Sequence, residues 1–120
     1  MKKLRATNPE LKELVLFLKK QSRENKADIW RDIAERLTKS RRKRVAVNIS
    51  RLNRYTQKSD TVAVPGKVLG SGEIKHPITV AAFAFSAKAR EKIIAAKGKC
   101  ISFSDLIKKK PKGSNVKIIG

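Results

Sequence analysis

Residues 78–103 read Ile-Thr-Val-Ala-Ala-Phe-Ala-Phe-Ser-Ala-Lys-Ala-Arg-Glu-Lys-Ile-Ile-Ala-Ala-Lys-Gly-Lys-Cys-Ile-Ser-Phe. Ile78 to Phe85 is apolar but for Thr79, β-branched at first and small-aromatic later, and predicts a buried strand. Ser86 is a capping residue for a helix over 87–97, with Ala89, Ile93, Ile94 and Ala96 as its apolar positions. Gly98 predicts a left-handed cap, and residues 99–103 predict a further strand. Strand, helix and strand in succession place the chain among α/β folds.

Working toward the C-terminus, Ser104 predicts the cap of a short helix over Asp105, Leu106 and Ile107. The basic run Lys108, Lys109, Lys110, Pro111, Lys112 then predicts a loop facing phosphate, and Val116 to Ile119 a last strand. Toward the N-terminus, Asp60 to Val64 predicts a strand ended by a Pro65-Gly66 turn. Lys67-Val68-Leu69 predicts a second short strand, and Gly70-Ser71-Gly72 a tight connection. That glycine pair lacks the Lys-Ser/Thr of a nucleotide loop and precedes no convincing helix, so it reads as a turn needing positive φ.

Val45 to Ile49 alternates as a strand does. Just before it stands the densest basic stretch: Arg36, Lys39, Arg41, Arg42, Lys43 and Arg44, with no acid between them. Planar arginine forks grip phosphate oxygens in pairs or stack on unpaired bases. Arg51, Arg54 and Lys58 carry the pattern onward as one face of a short helical turn. Tyr55 beside them fits a base-stacking platform or a packed aromatic with a wet hydroxyl. The first third is different. Asn8-Pro9 starts a helix to about Ser22, with Leu11, Leu14, Val15 and Leu18 at i, i+3, i+4 and i+7. Leu16 and Phe17 widen that stripe. A turn around Asn25 precedes a second helix over 27–38, with Ile29, Trp30, Ile33, Ala34 and Leu37 on one face. The expectation is one compact α/β domain of short strands and helices with an N-terminal two-helix layer. Within it, residues 1–45 form the helical segment that ends in the basic run, and 46–120 the mixed core.

The chain has 120 residues, 30 Lys plus Arg against 10 Asp plus Glu, and a net charge of +20. Residues 1–35 hold nine basic and six acidic residues, a net of +3, and 36–120 hold twenty-one and four, a net of +17. A small domain usually carries a single-digit net charge. This excess demands an anionic partner: nucleic acid, an anionic membrane surface or an acidic protein. Neither front helix has the uniformly basic polar face of a membrane-surface helix.

The single cysteine, Cys100, excludes an internal disulfide, and one Cys with one His leaves no zinc site of those ligands. No signal peptide or membrane span is read, so the expectation is a soluble, intracellular protein. His76 before Pro77 reads as exposed or structural, and Cys100 as a small core residue. Asp60, Glu73, Glu91 and Asp105 stand singly among positives, so no acid–base pair or metal cluster is expected. The reading is non-enzymatic, with no cofactor and no small-molecule substrate.

Two stretches carry a resemblance. One is 35–44, Glu-Arg-Leu-Thr-Lys-Ser-Arg-Arg-Lys-Arg, continuing into 47–55, Val-Asn-Ile-Ser-Arg-Leu-Asn-Arg-Tyr. The other is 64–72, Val-Pro-Gly-Lys-Val-Leu-Gly-Ser-Gly, followed by Ile78-Thr79-Val80, Phe85 to Ala89, and Ile93. In order and spacing they resemble the archaeal and eukaryotic large-subunit ribosomal protein L eighteen-e family, relatives of bacterial ribosomal protein L fifteen. One departure is Lys97-Gly98, where that family often has two glycines. The resemblance implies a cytoplasmic, ribosomal RNA-binding structural protein, described as an irregular superhelical array of short strands and helices, without catalysis or cofactor. It implies that Lys39 to Arg54 and Lys67 to Gly72 face RNA, with neighbouring ribosomal proteins as further partners. A free-standing nucleic-acid-binding protein, chromatin-type or regulatory, is the other function compatible with the charge.

Overall fold

A computed structural model describes residues 9–38 and 45–120. Among the described residues five helices and five strands follow one another: α1 (Pro9–Asn25), α2 (Asp28–Leu37), β1 (Val45–Asn48), α3 (Ile49–Tyr55), β2 (Thr61–Leu69), β3 (Thr79–Phe85), α4 (Ala87–Ala95), β4 (Lys99–Ile101), α5 (Phe103–Lys109) and β5 (Val116–Ile118). All strand pairs are parallel. β2 lies at the centre, with β3 and then β4 on one side. Its other edge is shared: β5 pairs with Thr61–Ala63, and β1 pairs with Gly66–Leu69. The fold class is therefore α/β, as expected, with the two N-terminal helices as a layer on the sheet.

Strand alternation sorts the core into two halves. Ala63 and Ala81 face one way, under Leu11, Val15 and Leu18 of α1, Trp30, Ile33 and Leu37 of α2, and Phe103 and Leu106 of α5. Val62, Val64 and Val80 face the other way, against Ile49 and Leu52 of α3 and Ala89 and Ile93 of α4. The small alanines let the helices approach the sheet closely, and each buried Leu or Ile contributes about 1.5–3 kcal/mol.

The expected Pro65-Gly66 turn is not a turn. β2 runs through it as one nine-residue strand. Val64 pairs with Ala82 and Lys67 with Ala84, so Pro65 and Gly66 together oppose one residue of β3 in a bulge. Proline lacks the N–H that a regular ladder needs, and a bulge is where a strand tolerates it. The glycines that follow are likewise no tight connection. Because β2 and β3 are parallel with Thr61 opposite Thr79, residues 70–78 must run back along the whole strand. The return from Leu69 is about 26 Å at ~3.3 Å per residue, and a chain of that length reaches about 33–36 Å. The crossover therefore uses about three-quarters of its reach, and it is pinned down by buried Ile74 and Ile78.

Helix ends show where local reading went astray. α1 continues past Ser22 to Asn25, whose side chain donates to Gln21 Oε1 at 3.1 Å. Lys26, at φ 53°, turns the chain while Ala27 N–H reaches back to Ser22 O at 3.1 Å. Asn8, the expected cap of α1, lies outside the described residues. Leu16 does not widen the buried stripe: it is 59% exposed, while Phe17 packs partly against the core. α3 stops at Tyr55, so Lys58 is in the following turn rather than on a face shared with Arg51 and Arg54. The cap of α5 is Ser102, whose Oγ accepts from Asp105 N–H at 3.1 Å, and not Ser104. That earlier start turns Phe103 into the core instead of leaving it on a strand.

Ser86 does cap α4, accepting from Ala89 N–H at 3.1 Å. The left-handed residue at the other end is Lys97, at φ 69°, and not Gly98. Gly98 N–H bonds to Ile93 O and Lys97 N–H to Ile94 O, both at 2.9 Å, the paired bonds of a Schellman cap. Gly98 serves close packing: a Cβ there would lie 2.4 Å from the Ile78 carbonyl oxygen. Lysine in left-handed backbone costs about 1–2 kcal/mol, against the extra entropy glycine loses on folding, about 0.5–1 kcal/mol. Lys97→Gly should therefore raise stability by about 0.5–1 kcal/mol, read as a higher urea midpoint with an unchanged slope. No gain would mean the cap frays in solution.

The edge shared by β2 and β5 carries a charged tie. Lys117 Nζ lies 2.9 Å from Asp60 Oδ2, which also accepts the Gln57 N–H at 2.8 Å. That backbone bond first, and Lys117 second, hold the Asp60 carboxyl below the ordinary aspartate range. A carboxyl depressed in the folded state stabilises it above the unfolded pKa, and the contribution is lost as pH falls through the folded pKa. Asp60→Asn should lower stability at neutral pH and flatten the acid arm below about pH 4. Parallel acid melts of the two proteins would instead show the tie to be solvated away.

Candidate nucleic-acid interface

α3 gathers one group of the expected residues. Arg51 and Tyr55 are one helical turn apart and Arg54 precedes Tyr55. Their guanidinium carbons stand 5.2 and 5.9 Å from the ring centroid. Tyr55 is 51% exposed, so its ring is not packed into the core but lies at the surface beside these two cations. The ion pairs of the described residues, Lys20–Glu24, Arg31–Glu35, Arg36–Asp32 and Lys117–Asp60, leave Arg51 and Arg54 out. Exposed arginine over an exposed aromatic ring offers charge and a flat face together, the combination that takes phosphate and unpaired bases.

The crossover beginning at Gly70 is fastened beside that helix. Ser50 N–H donates to Ser71 O, and Ser71 N–H to Asn48 Oδ1, both at 3.2 Å. Lys75 N–H donates to Asn53 Oδ1 at 2.9 Å. Gly72 has φ 93°, and a Cβ on it would fall 2.4 Å from Ser50 Cβ. Gly70 has no positive φ. It is held small by α4, since a Cβ would meet Lys88 Cβ at 2.8 Å and Ala89 N at 2.9 Å. Lys92, overlooked in the sequence, locks the segment by donating to Gly70 O at 2.9 Å and Gly72 O at 2.8 Å. A lysine among many, 22 and 20 residues from its acceptors, leaves no local signal. Lys67 is exposed on β2.

The C-terminal lysines are elsewhere. Lys108 and Lys109 end α5, Lys110 follows as its C-cap, and α5 packs on the sheet face opposite α3. Lys112 is not free: it donates to Asn25 O at 2.8 Å, a cation on the negative end of α1. Trp30 Nε1 donates to Pro111 O at 2.7 Å, and Gly113, at φ 72°, sits where a Cβ would lie 2.3 Å from Ile29 Cγ2. The sheet thus separates the expected residues into two groups. Arg36, the first of the dense basic stretch, turns back onto Asp32 at 3.1 Å. Lys39, Arg41, Arg42, Lys43 and Arg44 lie outside the described residues.

Groups capable of chemistry are sparse. Among the described residues no cluster of His, Cys, Asp and Glu is suited to a metal ion. Thr56 donates to Leu52 O at 2.6 Å, so its oxygen accepts from His76 Nε2 at 2.7 Å, and His76 is structural. Burial pushes the Cys100 thiol up, away from the thiolate that a nucleophile needs. No helix among the described residues is long and apolar enough to cross a membrane.

Comparison with known proteins gives the family. The family model for ribosomal protein 60S L18 and 50S L18e matches residues 1–120. The large ribosomal subunit protein eL18 of Methanospirillum hungatei is 52% identical over 113 residues, covering 94% of this chain and 93% of its own. That of Methanococcus maripaludis is 48% identical over 119 residues, covering 99% of each. The Methanothermobacter thermautotrophicus protein is 44% identical over 119 residues, covering 99% and 98%. A match this long and even leaves no segment outside it, and the chain belongs to the family of ribosomal protein 60S L18 and 50S L18e.

Proposed function

We propose that this chain is a structural, non-catalytic constituent of the large ribosomal subunit in the cytoplasm, and that it binds ribosomal RNA through Arg and Lys contacts to phosphate. The observation that carries the reading is α3, where Arg51 and Arg54 stand over an exposed Tyr55 outside the described ion pairs. Lys39, Arg41, Arg42, Lys43 and Arg44 precede β1 in sequence and add to the same charge. Lys67, Lys108, Lys109 and Lys110 supply further contacts. Gly70 and Gly72 let the backbone of the crossover lie close against Ser50 and Lys88, which shapes the surface beside the arginines. Lys112, tied to Asn25 on the other side of the sheet, adds to the positive field there. Neighbouring ribosomal proteins are the second class of partner.

Tagged protein in cell extract should sediment with large subunits through a sucrose gradient and stay there after DNase. Migration with nucleoid DNA, abolished by DNase, would favour a free-standing chromatin-type or regulatory protein instead.

A further inference from the structure

Between α1 and α2 runs a groove of about 490 Å³, lined by Lys19, Arg23, Lys26 and Arg31 with Asp28 and Glu35. Lys19 and Arg23 are one helical turn apart on α1, and Lys26, in the left-handed turn that follows the helix, lines the same groove. Ser22 also lines the groove, but its hydroxyl is committed to Ala27 O at 2.8 Å. Four cations against two acids leave an excess of two positive charges. One acid is already engaged, as Glu35 lies 3.5 Å from Arg31 in a pair whose side chains are 68% and 60% exposed. Exposed pairs of this kind are worth about 0–1 kcal/mol, so Arg31 exchanges Glu35 for a phosphate at little cost. The volume is more than ten times the ~30 Å³ share of a water molecule, ample for consecutive phosphates with their solvent.

α1 and α2 cover the Ala63 and Ala81 face of the sheet, whereas α3 covers the Val62 and Val64 face. The groove and the Arg51–Arg54–Tyr55 cluster thus lie on opposite sides of a packed sheet. We propose that the α1–α2 groove is a second RNA-backbone site, so that the domain holds two RNA segments against opposite faces of its sheet. This rests on the reading that the protein binds ribosomal RNA. It assigns a binding role to the segment with the lowest charge excess, whose cations resemble ordinary solvated surface in sequence.

The test uses the full chain with Lys19→Gln, Arg23→Gln and Lys26→Asn, asparagine being tolerant of the left-handed backbone at Lys26. Against a large-subunit RNA transcript, each lost phosphate contact removes about 0.7–0.9 from the slope of log K on log salt. The variant should therefore show a slope shallower by about 2–3. Wild type should bring two differently labelled RNA duplexes into one complex, and the variant should bind one. Circular dichroism melting checks the fold; if the triple variant melts early, Arg23→Gln alone should shift the slope by about 0.7–0.9. Equal slopes and retained pairing would overturn the second site while leaving RNA binding intact. Unchanged RNA binding with loss of a neighbouring protein from reconstituted particles would also overturn it, assigning the groove to an acidic protein surface. Salt-insensitive or absent RNA binding by wild type would overturn the underlying reading, and the second site with it.

Discussion

Trp30→Ala is expected to remove about 3–5 kcal/mol of stability, a large share of the roughly 5–15 kcal/mol a domain possesses. Trp30 is fully buried where α1, α2 and α5 meet the sheet. No smaller side chain reaches the neighbours that surround its ring, and the cavity costs its contacts on every side. The loss goes further than volume. Its Nε1 holds Pro111 O at 2.7 Å, which fastens the segment after α5 over the α1–α2 corner, where Gly113 packs on Ile29. Trp30→Phe keeps most of the apolar volume and loses that bond, so it should cost nearer ~1–2 kcal/mol. Because Trp30 is the only tryptophan, urea unfolding is followed by circular dichroism. A loss below about 1 kcal/mol, small beside the usual aromatic-to-alanine cost, would mean that the helical layer and the sheet do not unfold as one unit.

Affinity for large-subunit RNA should fall with salt along a log-log slope near −7, as for about eight neutralised phosphates in duplex-like RNA. Between 50 and 200 mM salt that amounts to roughly a ten-thousand-fold loss. Arg51→Gln with Arg54→Gln should make the slope shallower by about 2, while stability changes little, since an exposed cation–ring contact is worth about 0.5–1 kcal/mol. Replacing Arg41, Arg42, Lys43 and Arg44 together should weaken binding further and leave the circular dichroism spectrum folded. A flat salt dependence would sink the electrostatic account. Unfolding of the quadruple variant would make those residues structural.

Much of the fold was legible because its signals are local. The stripe of Leu11, Val15 and Leu18, the Ser86 cap and the apolar run from Thr79 to Phe85 each depend on residues within a turn or two. The errors share a different cause. Pro65-Gly66 reads as a turn until β3 supplies the single residue that opposes both, and Gly98 reads as a left-handed cap until Ile78 O leaves no room for a Cβ. Gly70 likewise owes its identity to α4, and Lys92 its role to two carbonyls across the molecule. In each case the deciding atom is distant in sequence, and propensity carries no record of it.

The charge asymmetry, the α/β class and the family were all properties of residue order alone. Composition and short-range periodicity survive any arrangement in space. Only the tertiary structure decided which cations are available. Lys92, Lys112 and Arg36 are held by Gly70 and Gly72, Asn25, and Asp32, whereas Arg51 and Arg54 are left over Tyr55. A positive charge is a sequence property, but its freedom to meet a phosphate depends on which carbonyl or carboxylate the fold brings within about 3 Å of it.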